Sequence, residues 1–342
     1  MSASDFLCKD AATPLCEHFT AGGAVCSFAT NSEALLQAVR ETYLPVLTAP
    51  VSESFSIRFW VDQANSVQPP WPNPYVRGID HLVFAGFDSG SSMLADLRTR
   101  RVIGRFSSGI AADRDYWKTV ILPMLLSVLG GSIGIAELHC ACVARDEEGL
   151  LLAGASGSGK STLAVALSQA GFGFLSDDRT FCSLDNERIL AWGLPTRLKL
   201  RREAEDWFPE LQGREPTTIQ NGELVHWLDP EFAVGVRRVR RCQPNAVLFL
   251  EQLKTPSFNI SPLSACEAMN RLDKDLMAES PEVMAKQMAT IARLVELPCW
   301  LLQYGGRPMT IARKIAGHFE EARLANCNVR TGDDIVAGIT RL

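Results

Sequence analysis

No pair of the ten cysteines stands at C-x-x-C spacing, so the chain lacks the frame of a zinc ribbon or a thioredoxin-like redox site. Ten in 342 residues is also too sparse for a disulfide scaffold. The expectation is reduced, mostly buried thiols in a cytoplasmic protein. An excess of positive charge is missing as well. Thirty-four Lys and Arg stand against 39 Asp and Glu, a formal net charge of −5, which gives no reason to expect nucleic acid or an anionic membrane as partner. The opening residues carry Asp5, Lys9 and Asp10 where a signal peptide needs an apolar run. Long apolar runs are scarce: Thr119 to Ala136, eighteen uncharged residues, reaches the lower edge of membrane-spanning length. Pro123, Gly130, Gly131 and Gly134 interrupt it, and Lys118 and Glu137 close it. That composition predicts a buried core helix from Tyr116 to about Leu129 followed by a turn, with no membrane insertion. Internal repeats and low-complexity tracts are absent from the sequence.

What is present is an ordinary globular composition, 46% apolar and 21% charged, which excludes a disordered or fibrous chain. At about 150 residues per domain the length predicts roughly two domains, residues 1–110 and 111–342. The first reads as an α+β module. Asn31 or Ser32 can cap a helix whose Leu35, Leu36, Val39 and Tyr43 share a face, ended near Pro45. Phe55, Ile57, Phe59 and Val61 alternate with Ser54, Ser56, Arg58 and Trp60 as in a half-buried strand, and Val67 to Pro74 reads as a loop. Strands around His81–Phe87 and Ser92–Leu97 lead into a hairpin with Arg101–Phe106, whose Arg98, Arg100 and Arg101 read as a solvated cluster.

Beyond Tyr116 the texture changes to strand (Leu150–Ala153), glycine loop, helix (Lys160–Ala170) and strand (Gly173–Ser176), an α/β pattern in which a largely β central sheet carries helices packed on it. Ala246–Leu250 and Cys299–Leu302 read as buried strands. Met284, Met288, Ile291 and Val295 fall on the core face of a helix, and the tail from Asn326 has little periodicity.

The loop itself, Gly154-Ala155-Ser156-Gly157-Ser158-Gly159-Lys160-Ser161-Thr162, satisfies G-x-x-x-x-G-K-[ST] in full. Glycines let backbone N–H groups converge on phosphate oxygens, and the following helix turns its positive dipole end to the same anion. Lys160 would reach the β- and γ-phosphates and the Ser161 hydroxyl would ligate magnesium. A pair of carboxylates, Asp177 and Asp178, follows a short strand that ends at Ser176, only sixteen residues after Lys160. One can hold magnesium and the other can accept a proton from an attacking hydroxyl.

Gly154–Ser161 followed by Ala170-Gly171-Phe172-Gly173-Phe174-Leu175-Ser176-Asp177-Asp178 resembles the catalytic core of the HPr kinase/phosphorylase family. That family places a histidine on the strand before the phosphate loop, where this chain has Leu138-His139-Cys140-Ala141. The resemblance implies a kinase domain of that fold over residues 111–342, ATP and Mg2+ as cofactors, Asp177 on the metal, Asp178 as the base and an active-site role for His139. The two aspartate roles could be exchanged. It also implies self-association, because the family forms oligomers. Two departures point away from HPr as acceptor and from the reverse reaction. Thr162 stands where bifunctional members have Glu, and Gly193–Leu200 does not match their glycine-rich signature. The chain is more similar to the HPr kinase-related proteins of peptide-maturation clusters, including lasso-peptide kinases that phosphorylate a serine of a precursor peptide.

The expected activity is therefore transfer of the γ-phosphoryl of Mg-ATP to a hydroxyl, with a serine of a peptide or protein as the acceptor that the resemblance implies. A small-metabolite kinase and a nucleotide-hydrolysing switch or ATP sensor are the alternatives, and the short gap to the carboxylates argues against a switch. Phosphoryl transfer also calls for a further cation, for which Arg197, Lys199, Arg201, Arg202 and the run from Arg237 to Arg241 are candidates. Trp192 and Trp207 are aromatic enough to stack on a base, but carry no assignment.

Overall fold

Alternation of large apolar with polar side chains organises the first third of the chain into one sheet. The computed structural model describes residues 12–47, 52–62, 68–219, 222–229, 236–276 and 280–320. Strands β1 (Leu15–Ala21), β2 (Ala24–Thr30), β3 (Leu44–Pro45), β4 (Phe55–Asp62), β5 (Tyr75–Ile79), β6 (Leu82–Gly86), β7 (Ser92–Asp96) and β8 (Arg101–Ser107) lie in the order β3-β1-β2-β4-β8-β7-β6-β5. The pairs β2–β4 and β4–β8 are parallel and the others antiparallel. Helix α1 (Glu33–Thr42) is capped by the Ser32 hydroxyl, which accepts from the Leu35 amide, and buries Leu35, Leu36 and Val39 as its spacing requires. The expected strands at Phe55, His81, Ser92 and Arg101 are present. Sequence reading did not anticipate β1, β2 or β5. Val67 of the expected loop lies outside the described residues.

The expected helix from Tyr116 is a composite. A short turn, Arg114–Tyr116, opens into a wider five-residue π turn, Trp117–Ile121, before α2 (Leu122–Gly131). Pro123, which has no amide hydrogen to give to the turn before it, is the second residue of α2, directly after the π turn. Gly131 is followed by the expected turn, and among the described residues no helix is long and apolar enough to cross a membrane. Trp117 is fully buried against Phe59 and Phe106, and Phe59 also packs on Phe28, so α2 and its approach cover the first sheet.

The rest is a second, nine-stranded sheet with helices and a small three-stranded sheet, giving a mixed α/β molecule. Strands β9 (Ala136–Leu138), β10 (Ala141–Arg145), β11 (Glu148–Ala153), β12 (Gly173–Ser176), β13 (Thr180–Asp185) and β14 (Arg188–Trp192) precede the small sheet. That sheet has the order β15-β17-β16, with β15 (Leu198–Arg201), β16 (Thr217–Thr218) and β17 (Leu224–Leu228). Strand β18 (Arg241–Gln252) starts five residues before the expected Ala246, taking in the last arginine of the basic run. Next come β19 (Ser257–Pro262), α4 (Ala265–Leu272), α5 (Pro281–Leu294), β20 (Cys299–Gly305) and a helix α6 over 308–320, while α3 (Lys160–Gln169) follows β11. The large sheet runs β12-β10-β11-β18 and forks there: the start of β18 pairs with β14, and its end pairs with β20. Met284 and Met288 are half-buried and pack against the apolar cluster beneath this sheet. The tail from Asn326 lies outside the described residues.

Candidate phosphate-binding site

Strand pairing alone brings the loop and the two aspartates to one edge. Strand β10 is antiparallel to both β11 and β12, so those two run the same way and both end at that edge. Cys142 is the partner of Leu151 on one side and of Ser176 on the other, so Ser176 is level with Leu151. Asp177 and Asp178 therefore leave the sheet beside the start of the loop at Gly154, two strand spacings away, roughly 10 Å. Helix α3 crosses over β10, β11 and β12, closing the unit.

Within the loop, Gly154, Gly157 and Gly159 all have positive φ, at 154°, 83° and 87°. At Gly159 this freedom coincides with a close approach, because a Cβ there would land on the Tyr304 hydroxyl. That hydroxyl donates to the Ser158 carbonyl at 2.6 Å, so the end of β20 pins the loop across β18. Burial raises the Tyr304 hydroxyl well above its ordinary pKa, keeping it a donor. Lys160 is buried and its ammonium donates to the carbonyls of Gly154, at 2.7 Å, and Ala155, at 3.3 Å. Ala155, Ser156 and Gly157 are exposed, Ser161 and Thr162 partly so at the first turn of α3. Ser158 Oγ is buried without a hydrogen-bond partner, inside the curve of the loop.

The two carboxylates have opposite surroundings. Asp177 is buried and its Oδ2 accepts from the Lys199 amide of β15 at 3.1 Å. Burial pushes its pKa up to about 7, the Lys199 amide opposing and the neighbouring Asp178 adding to the rise. Asp178 is exposed and meets His139 Nδ1 at 3.1 Å, and that imidazole holds its carboxyl below the usual range against partial burial. His139 lies not on a strand, as the resemblance implied, but in the bend between β9 and β10. The reason is that β9 pairs with β13 and β10 with β11 and β12, so the chain changes neighbours there. The Thr180 hydroxyl donates to the Cys140 carbonyl at 2.9 Å, tying that bend to the segment after the aspartates.

The structure separates the candidate cations. Arg197 pairs with Asp115 at 2.8 Å, Arg238 donates to the Thr196 carbonyl at 2.8 Å, Arg240 donates to the Thr42 carbonyl at 3.2 Å, and Arg241 lies over the Trp192 ring. Arg202 is exposed, as is Arg201, but Arg201 stands against the loop. A Cβ on Gly157 would lie 3.4 Å from its Nη1, while its Nη2 meets Glu223 at 2.6 Å. Tyr304 carried no sequence signal, being far from the motif along the chain.

The eight cysteines among the described residues are all free, and six of them are buried. No protein-family profile matches the chain, and no curated protein matches it. The chain can be superposed on a solved structure, the Hpr(Ser) kinase/phosphatase from Coxiella burnetii, over 55% of its own length and 98% of that chain's, with 12% identity and a TM-score of 0.29.

Proposed function

We propose that this protein is an ATP-dependent kinase that transfers the γ-phosphoryl group to a hydroxyl, with a serine of a peptide or protein as the acceptor class. The observation that carries the reading is the strand–loop–helix of Gly154–Thr162 with an aspartate pair leaving the same sheet edge two strands away. In this reading Gly154, Ala155, Ser156, Gly157, Ser158, Gly159 and Thr162 supply amides to the phosphates, and Lys160 leaves its carbonyl partners for the phosphate oxygens. The orphaned Ser158 hydroxyl and the hard oxygen donors of Ser161 and Asp177 suit a phosphate-bound magnesium, which Ser161 and Asp177 would hold. Magnesium, when bound, withdraws charge from the phosphates.

The acceptor oxygen attacks the γ-phosphorus as the bond to the β-phosphate oxygen breaks, and the acceptor's proton passes to Asp178. His139, hydrogen-bonded to that carboxylate, orients it. Arg201 supplies positive charge to offset the negative charge spread over the oxygens of the transferred group in the transition state. The division at residues 110 and 111, self-association and a cytoplasmic setting belong to the same proposal.

The test is incubation with Mg-ATP and a panel of serine-containing peptides, read as mass gain of one phosphate. Transfer to a peptide is expected, lost in Asp178→Asn with ATP affinity retained, and lost together with affinity in Lys160→Ala. Rapid release of phosphate to water with no acceptor modified would overturn the kinase reading in favour of hydrolysis.

A further inference from the structure

On the side of the loop away from the aspartates lies a cavity of about 760 Å³ that no role above uses. Its walls are Ala155–Ser158 of the loop, Leu250–Lys254 at the end of β18, Pro256, Gly306 just past β20, and Trp207. We infer that this cavity is the nucleoside subsite and that the Trp207 indole stacks on the base. The inference rests on the phosphate-loop reading above and adds where the other end of the nucleotide lies.

Topology gives the direction. The sheet continues from β11 one way through β10 to β12 and the aspartates, and the other way through β18 to β20. Strands β18 and β20 are parallel to β11, so their carboxyl ends open at the loop's edge, where an α/β sheet takes its ligands. A triphosphate lying along the loop with its γ end toward Asp177 and Asp178 must send its nucleoside over the ends of β18 and β20, and the cavity is there. The volume falls within the range of small-ligand sites.

Chemistry agrees with the direction. Trp207 is 42% exposed, unusual for so large an apolar ring, and it ends the short 3-10 turn Arg202–Asp206 that follows β15, the strand whose last residue, Arg201, flanks Gly157. An open indole face stacks on any base without reading its edge. The acidic wall residue Glu251 is bound by Arg271 at 3.2 Å and by the Gln303 amide at 3.1 Å, so its charge is offset rather than aimed at the phosphates.

Binding of ATP and of inorganic tripolyphosphate to the full chain, each with magnesium, tests this by calorimetry on wild type, Trp207→Leu and Trp207→Phe. Tripolyphosphate carries the phosphates without the nucleoside. Trp207→Leu should weaken ATP about tenfold and leave tripolyphosphate unchanged, whereas Trp207→Phe, which keeps an aromatic face, should stay within about threefold of wild type for ATP. Unchanged ATP affinity in Trp207→Leu, or an equal loss for both ligands, would overturn the subsite while leaving the loop reading standing. Failure of wild type to bind either ligand would overturn the loop reading and the subsite with it.

Discussion

At Gly159 a single missing side chain lets the loop turn beneath the Tyr304 hydroxyl, and one residue later Lys160 is folded back onto the loop's own carbonyls. Gly159→Ala should therefore cost ATP affinity more than a surface substitution does, because both the positive φ and the space are lost. Calorimetric titration with Mg-ATP measures the difference. Arg201 gives the sharper test of chemistry. Arg201→Ala should lower the transfer rate about a hundredfold with ATP affinity within about threefold, since the guanidinium is assigned to charge that develops only in the transition state. An equal loss in both would make it a binding residue instead. Residues of this kind divide cleanly in legibility. The loop and Asp177-Asp178 are readable as candidates because each pattern occupies consecutive positions, and strand pairing brings the two to one sheet edge. Tyr304 and the choice of Arg201 among the basic residues were not, because β20 and β15 bring them to the loop through pairing that no local pattern encodes.

Among the elements, those with a strong apolar period were legible: α1, β4, β11, α3 and β12. Strand β5 was not, since Tyr75, Val76, Arg77 and Ile79 are all exposed and the strand exists through its ladder with β6 rather than through burial. Strand β1 carries Cys16, Glu17 and His18 before Phe19, which hides its alternation. The composite helix near Trp117 shows the opposite error, a continuous period read as one regular helix where a π turn intervenes. At this scale the loop's position depends on β20. Tyr304→Phe removes one buried hydrogen bond to the Ser158 carbonyl, and about 1 kcal/mol of loop stability should go with it, read as a severalfold weaker ATP affinity. The rest of the fold should melt as before.

Across the whole molecule, two sheets are organised by separate apolar clusters, the first gathered on Phe28, Phe59, Phe106 and Trp117 and the others on either face of the nine-stranded sheet. Phe59→Ala should lower unfolding free energy by about 3–5 kcal/mol, measured by denaturant titration, because its ring meets Phe28, Phe106 and Trp117 at once. The mixed α/β character was legible from the alternation of short apolar runs with glycine loops. The fork at β18 was not, because it depends on which of two strands claims each half of a twelve-residue partner. The measurement closest to the central assignment is backbone amide hydrogen exchange with and without Mg-ATP. Slower exchange is expected together over 154–162 and 176–179, separate segments on either side of a helix that meet at one sheet edge. Slowing in the first without the second, or in neither, would contradict a site in which the aspartate pair stands beside the bound phosphates.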